Sequence, residues 1–197
     1  MSNLSDAELV LQVQLGSLNE LGVLYDRHRQ LVYRTLVAVT GDPEVASDLL
    51  HDVFLRLHRF IDRVDTTRPL EPWLYRMSTN LAYTWMKRNR KWLHPLDDMS
   101  EWLGSSGKNS PLDLVERQDD LDRIQQALST LSLSQRVVVV LYYLNDLSLQ
   151  EISEILEIPV GTVKSRLHYG RQALRKKLGV RGLADGDKLP GLNYESP

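Results

Sequence analysis

The stretch from Leu147 to Leu178 constrains the chain most, because it sets two helix starts so close together that only a tight turn can join them. Ser148-Leu149-Gln150-Glu151 has the pattern of a capping box, in which a hydroxyl and a carboxylate three residues apart satisfy backbone N–H groups at a helix start. Ile152, Ile155 and Leu156 then share one side, Glu157-Ile158 makes a turn, and Pro159 opens a second helix, where its missing N–H is harmless. At about 100° per residue, Val163, Leu167, Gly170, Leu174 and Leu178 fall within about 80° of one another and form one buried stripe. The opposite side carries Ser165, His168, Tyr169 and Gln172, which can hydrogen-bond or pack on base edges. Lys164, Arg171 and Arg175 flank that side on one edge and Arg166 and Lys177 on the other, a layout suited to gripping phosphates on both walls of a major groove. The spacing predicts a DNA-binding helix-turn-helix.

Charge looks unfavourable to that reading until it is mapped. The chain has 24 basic and 26 acidic residues, a net −2. Trp85 to His94 nevertheless holds Lys87, Arg88, Arg90 and Lys91 with no acid, and Val160 to Arg181 holds Lys164, Arg166, Arg171, Arg175, Lys176, Lys177 and Arg181 with none. Two acid-free patches in an otherwise acidic chain point to polyanion contact, since phosphate neutralisation supplies much of DNA affinity. With 42% apolar residues and no cysteine, the chain is expected to be globular and held by packing, without disulfide, thiol sensor or cysteine-ligated zinc. The first residues lack the pattern of a signal peptide and no apolar run reaches the ~18 residues of a membrane span. A cytoplasmic location without membrane insertion is expected.

Helical period runs through nearly every segment, which predicts an all-α chain of two small helical domains joined by a flexible linker. Ser5-Asp6-Ala7-Glu8 starts a helix to about Leu15, a second runs from about Leu18 to Val39, and Asp42-Pro43 starts a third that reaches about Phe60. Asp62 to Arg68 is loop-like, and a fourth helix runs from near Pro72 to about Lys91. These form a first domain over residues 1–93. A linker of residues 94–111 follows, rich in Gly, Ser and Pro over 94–110. The second domain covers 112–180, with helices at Leu112–Leu128 and from the Ser132–Gln135 box to about Leu144, then the helix-turn-helix. Val137 to Tyr143 has strand propensity, overruled here by the preceding cap. Residues 181–197 are expected to be a mobile tail.

On the fourth helix Leu74, Met77, Leu81 and Trp85 form the expected buried stripe, and Arg76, Asn80, Tyr83 and Lys87 share the opposite face, with Arg88 beside them. Cation, amide and aromatic on one face suit single-stranded or melting DNA, whose bases stack and hydrogen-bond. The third helix buries Ala46, Leu50, Val53, Phe54 and Leu57, and its outer face mixes Asp48, Asp52 and Arg59 with Val45 and Leu55, a combination that fits a protein partner.

From about Leu4 to Leu178 the chain resembles the sigma-70 family of bacterial RNA polymerase initiation factors, in its extracytoplasmic-function (ECF) class. Asp42-Pro43-Glu44-Val45-Ala46-Ser47-Asp48-Leu49-Leu50-His51-Asp52-Val53-Phe54 is similar to the segment that binds the polymerase clamp, with His51 where the family commonly has Gln. Pro72-Trp73-Leu74-Tyr75-Arg76-Met77-Ser78-Thr79-Asn80-Leu81-Ala82 is similar to the −10 segment, and Pro159-Val160-Gly161-Thr162-Val163-Lys164-Ser165-Arg166-Leu167 to the −35 helix. The resemblance implies sigma-2 and sigma-4 domains and core RNA polymerase as partner, through its clamp and flap regions. Asp48, Leu49, Asp52 and Leu55 would contact polymerase. Arg76, Asn80, Tyr83, Lys87 and Arg88 would contact the melted −10 strand, with the Asp62–Leu70 loop and Asn80 taking a flipped base. Thr162, Lys164, Ser165, Arg166, His168, Tyr169 and Arg171 would contact promoter DNA at −35. An anti-sigma factor is a further partner class, and no cofactor or metal is implied.

Two other classes remain open on the sequence. A stand-alone helix-turn-helix regulator would bind its operator without polymerase. A nucleic-acid enzyme would need a metal-binding carboxylate cluster or a nucleophile beside a base, and the nearest candidate, His28 near Asp26, does not pair on a helix.

Overall fold

The computed structural model describes residues 4–89 and 123–178, and every regular element among them is a helix. Helix starts follow the polar signals closely. Ser5, Ser132 and Ser148 each accept from the backbone three residues on, while Glu8, Gln135 and Glu151 reach back to the cap backbone at 2.7, 3.1 and 2.8 Å. Asp42 caps the third helix by accepting from the Glu44 and Val45 amides at 2.9 and 3.1 Å. The elements are α1 (Asp6–Gln14), α2 (Leu18–Thr40), α3 (Pro43–Arg59), a short 3₁₀ turn (Ile61–Arg63), α4 (Glu71–Arg88), α5 (123–129), α6 (Leu133–Tyr143), α7 (Leu149–Leu156) and α8 (Val160–Leu178). The linker and tail expected at 94–111 and 181–197 lie outside the described residues, as does the start of the helix expected from Leu112.

In the first group α2 is the central helix, packed against α1, α3 and α4, and its end turns at Gly41, whose φ of +80° suits a residue without a Cβ. The second group packs α6 and α7 against α8. Val137, Val138, Val139, Val140 and Leu141 form helix rather than strand, and all are at most 4% exposed. α6 is covered by α8 on one side and by α2 and α4 on another, so a helix apolar all round is what its site requires. Burial at this site outweighs intrinsic strand preference.

Beside the packing of α6 on α2 and α4, polar links join the two groups. Arg136 on α6 donates Nη1 to the Val39 carbonyl at 2.8 Å and Nη2 to the Ser129 carbonyl at 3.0 Å. Gln125 donates to the Val37 carbonyl at 3.3 Å, and Asn145 donates to the Thr35 hydroxyl at 3.0 Å. The Val39 carbonyl is one of the last in α2, beyond reach of its own helix's N–H groups, so Arg136 completes it, whereas the Val37 carbonyl also accepts from the Gly41 amide at 2.8 Å. Arg76 on α4 pairs with Glu157 in the α7–α8 turn.

Candidate nucleic-acid and polymerase interfaces

α8 owes its orientation to its apolar stripe: Val163, Leu167, Gly170 and Leu174 are buried. Lys164, Ser165, His168 and Tyr169 are exposed in consequence, Tyr169 at 58%, while Thr162 and Arg166 are half-buried. The His168 and Tyr169 rings meet edge to face, centroids 5.4 Å apart, and Gln172 lies 3.0 Å from His168 Nε2. Arg175, Lys176 and Lys177 extend the basic surface along the exposed side. Arg171, expected among these outward cations, is half-buried and its Nε donates to the Tyr143 hydroxyl at 2.8 Å. The tight turn before α8 is built by Glu157 in the left-handed region, at φ 53°, and by Ser153, whose hydroxyl donates to the Ile158 carbonyl at 2.6 Å.

On α4, Asn80, Tyr83, Lys87 and Arg88 are exposed on one side, and Arg76 is half-buried by its pairing with Glu157. The buried stripe differs from the expected one. Tyr75, Ser78, Thr79, Ala82 and Met86 are buried with Leu74 and Leu81, whereas Met77 and Trp85 are half-buried. The physical reason is a second contact, since α4 meets α6 and α7 as well as α2 and α3. Burial pushes the Tyr75 hydroxyl up to about 12. Ser78 and Thr79 close their hydroxyls onto carbonyls one turn back at 2.7 and 2.8 Å, which lets polar side chains sit in the core.

The loop after α3 is tied by Asp65, which accepts from the Thr67 amide and hydroxyl at 2.9 and 2.6 Å and is thereby held below the usual carboxylate range. A cavity of about 750 Å³ lies beside this loop, lined among others by Asp6, Val10, His28, Asp65, Thr67 and Glu71. Asn80, expected to share a base pocket with the loop, does not line it. Asp6, His28 and Glu71 bring possible metal-ligand atoms within 4.8 Å of one another. Asp6 is already bonded to His28 Nε2 at 2.6 Å and to the Arg27 guanidinium, and a cation that close disfavours a metal ion.

On α3, Asp48, Asp52 and Leu55 are exposed, Leu55 at 67%, and form one acidic and apolar surface. Leu49, expected on the polymerase-facing side, is instead buried, only 6% exposed. It sits at the edge of the stripe led by Ala46 and Val53, and the core takes it in. His51 is exposed, with Nδ1 2.8 Å from the Ser47 carbonyl. The sequence reading placed Glu157 in the turn but not its pairing with Arg76, and it gave no role to Tyr142, Tyr143 or Asn145. Apart from Gly170, already legible in the buried stripe, no periodic signal marks them.

A helix-turn-helix with a basic, aromatic outward face, joined to a helical unit with a second basic face and a separate acidic-apolar face, is the layout of a transcription protein. Residues 24–92 match the family described as Sigma-70 region 2, and residues 121–174 match Sigma-70, region 4. Over 179 residues the chain is 36% identical to the ECF RNA polymerase sigma factor SigW of Bacillus subtilis, covering 86% of this chain and 94% of that one. It is 32% identical to SigM of the same organism, over 82% of this chain and 96% of the relative. Among solved structures it is similar to CnrH in complex with the cytosolic domain of CnrY, with a TM-score of 0.65, 21% identity, and coverage of 90% and 99% of the two chains. It is also similar to the sigma factor RpoE in complex with the anti-sigma factor NepR from Bartonella quintana, at TM-score 0.62, 23% identity, and coverage of 82% and 98%. The chain belongs to the sigma-70 family of RNA polymerase sigma factors, in the ECF subfamily.

Proposed function

We propose that residues 1–93 form a unit that docks on core RNA polymerase through Asp48, Asp52 and Leu55 and meets the melted −10 strand with Arg76, Asn80, Tyr83, Lys87 and Arg88. Leu49 supports that surface from within. Residues 112–180 read the −35 element as duplex through Thr162, Lys164, Ser165, Arg166, His168 and Tyr169, with 94–111 as linker and 181–197 as tail. No catalytic step is assigned to the chain. It opens the promoter by binding the unpaired strand better than the paired one, which moves the equilibrium towards the open state. The observation that carries this reading is α8, whose apolar stripe is buried while Lys164, Arg175, Lys176, Lys177 and the His168–Tyr169 pair face outward. The site of action is the cytoplasm, where polymerase and promoter DNA are found.

Adding the purified chain to core polymerase should give discrete transcript starts on genomic templates, mapped by their 5′ ends, and a promoter shift in gels that requires core. A shift of equal strength without core would favour a stand-alone regulator. An anti-sigma factor is a further proposed partner, supported by the two solved complexes of similar fold, and co-purification from cells grown without stress tests it.

A further inference from the structure

We propose that Tyr143 is a positioning residue of the −35 helix, and that Arg171, which it holds, is a strut between α8 and α6 rather than a phosphate ligand. This rests on the reading of α8 as the −35 helix. By helical period Arg171 belongs with Lys164 and Arg175 on one basic edge, yet its guanidinium turns back onto its own domain. Nε donates to the Tyr143 hydroxyl at 2.8 Å, and Cζ lies 5.2 Å from the Tyr142 ring centre and 5.6 Å from that of Tyr143. The two rings stand nearly perpendicular, at 81° with centres 5.0 Å apart, so the cation rests against two aromatic groups at once. Tyr143 is only 7% exposed, and burial pushes its hydroxyl up against the opposing pull of Arg171, which keeps it a neutral acceptor. A phosphate contact would require Arg171 to leave one hydrogen bond and two ring contacts, whereas Lys164 is exposed and in place.

The neighbouring residue gives the strut its purpose. At Gly170 a Cβ would lie 2.7 Å from Val139 Cγ2, so α8 approaches α6 as closely as a residue without a side chain allows. An apolar stripe sets how deep a helix sits but restrains its rotation weakly, because apolar contact is non-directional. A hydrogen bond is directional, and the one from Arg171 to the last residue of α6 fixes the angle at which α8 is presented. Base reading tolerates roughly 10–20° of misorientation. His168, Tyr169 and Gln172 share the face whose direction that angle sets, so Tyr143 acts on sequence reading without touching DNA.

The test uses the full-length chain and three measurements. In binding to a random-sequence duplex, Lys164→Ala should lower the slope of log affinity against log salt by about 1, and Arg171→Ala should leave it unchanged. By NMR, the Arg171 Nε–H should exchange slowly in the parent and rapidly in Tyr143→Phe. With core polymerase, preference for the −35 duplex of a mapped promoter over a scrambled one should fall several-fold in Tyr143→Phe and by a similar factor in Arg171→Lys, which keeps the charge but has no Nε–H to give the hydroxyl. A merely destabilising change would not give the same loss from both ends of the one hydrogen bond. The proposal is overturned by a slope in Arg171→Ala that drops as in Lys164→Ala, by rapid Nε–H exchange in the parent, or by an unaltered preference in Tyr143→Phe. Should the parent holoenzyme show no preference between the duplexes, the −35 reading fails, and slope and exchange still decide the strut.

Discussion

Glu157 holds a left-handed backbone at φ 53° and ψ 44°, a conformation that costs a residue with a Cβ about 1 kcal/mol relative to glycine. The turn needs it, because only three residues separate the end of α7 from the start of α8, and the two helices pack against each other. Its ion pair with the half-buried Arg76 is open to solvent and offsets less than that cost. Glu157→Gly should therefore raise the melting temperature by about 3 °C, and a fall in a thermal melt would show that the pair outweighs the strain. Glu151 is bound by its cap. The Ser148 hydroxyl and amide hold its carboxyl below the usual glutamate range, so the folded state favours the ionised form. That stability is present above the ordinary glutamate pKa and is lost as pH falls through the lowered folded value. Ser148→Ala should cost about 1 kcal/mol at neutral pH, and the difference from the parent should narrow as urea melts are taken towards pH 3.

Gly170 and Val139 make a prediction about a pair of helices. Val139 is β-branched and has one preferred rotamer in a helix, so it cannot swing away from an added methyl group. Gly170→Ala should destabilise by about 2 kcal/mol despite its better helix propensity, and Val139→Ala in the same chain should recover most of the loss. Equal melting of the single and double variants would mean that the helices are not in contact there. The same elements show what was legible beforehand. Every helix start with a hydroxyl or aspartate cap falls within a residue or two of its expected place, because caps are local chemistry. The stripe of α8 was legible for the same reason, since one face of that helix is buried. The stripe on α4 was not. Tyr75, Ser78, Thr79, Ala82 and Met86 are buried by contacts that join distant parts of the chain, and periodicity within a helix carries no record of how many neighbours it has. The burial of Leu49 and the inward turn of Arg171 were not legible for a related reason, as one borders a stripe and the other reaches a partner 28 residues away.

Across the whole molecule, the two helical groups are joined by polar links laid around an apolar contact. Arg136, Gln125 and Asn145 donate to α2 and Arg76 meets Glu157, while α2 and α4 cover an apolar side of α6, so separation would expose that apolar side as well as groups that hydrate readily. Arg136 is the exception in cost. It is 7% exposed, burial holds its guanidinium below the ordinary range, and Nε has no hydrogen-bond partner among the described residues. An incompletely satisfied buried cation adds little net stability, so the groups are not locked together by it. This bears on the proposed −10 face, because Arg76 cannot give its guanidinium to a phosphate while Glu157 holds it. A surface ion pair contributes up to about 1 kcal/mol, so releasing it should change affinity by at most about fivefold. Glu157→Gln should tighten binding of a single-stranded oligonucleotide carrying the −10 sequence by roughly threefold at low salt. Glu154→Gln, which removes the same charge from α7 away from Arg76, controls for net charge and should change binding less. In an Arg76→Ala background the gain from Glu157→Gln should vanish. Equal gains from Glu154→Gln and Glu157→Gln, or a gain that persists without Arg76, would show that the effect is general electrostatics and that the pairing does not withhold Arg76 from the strand.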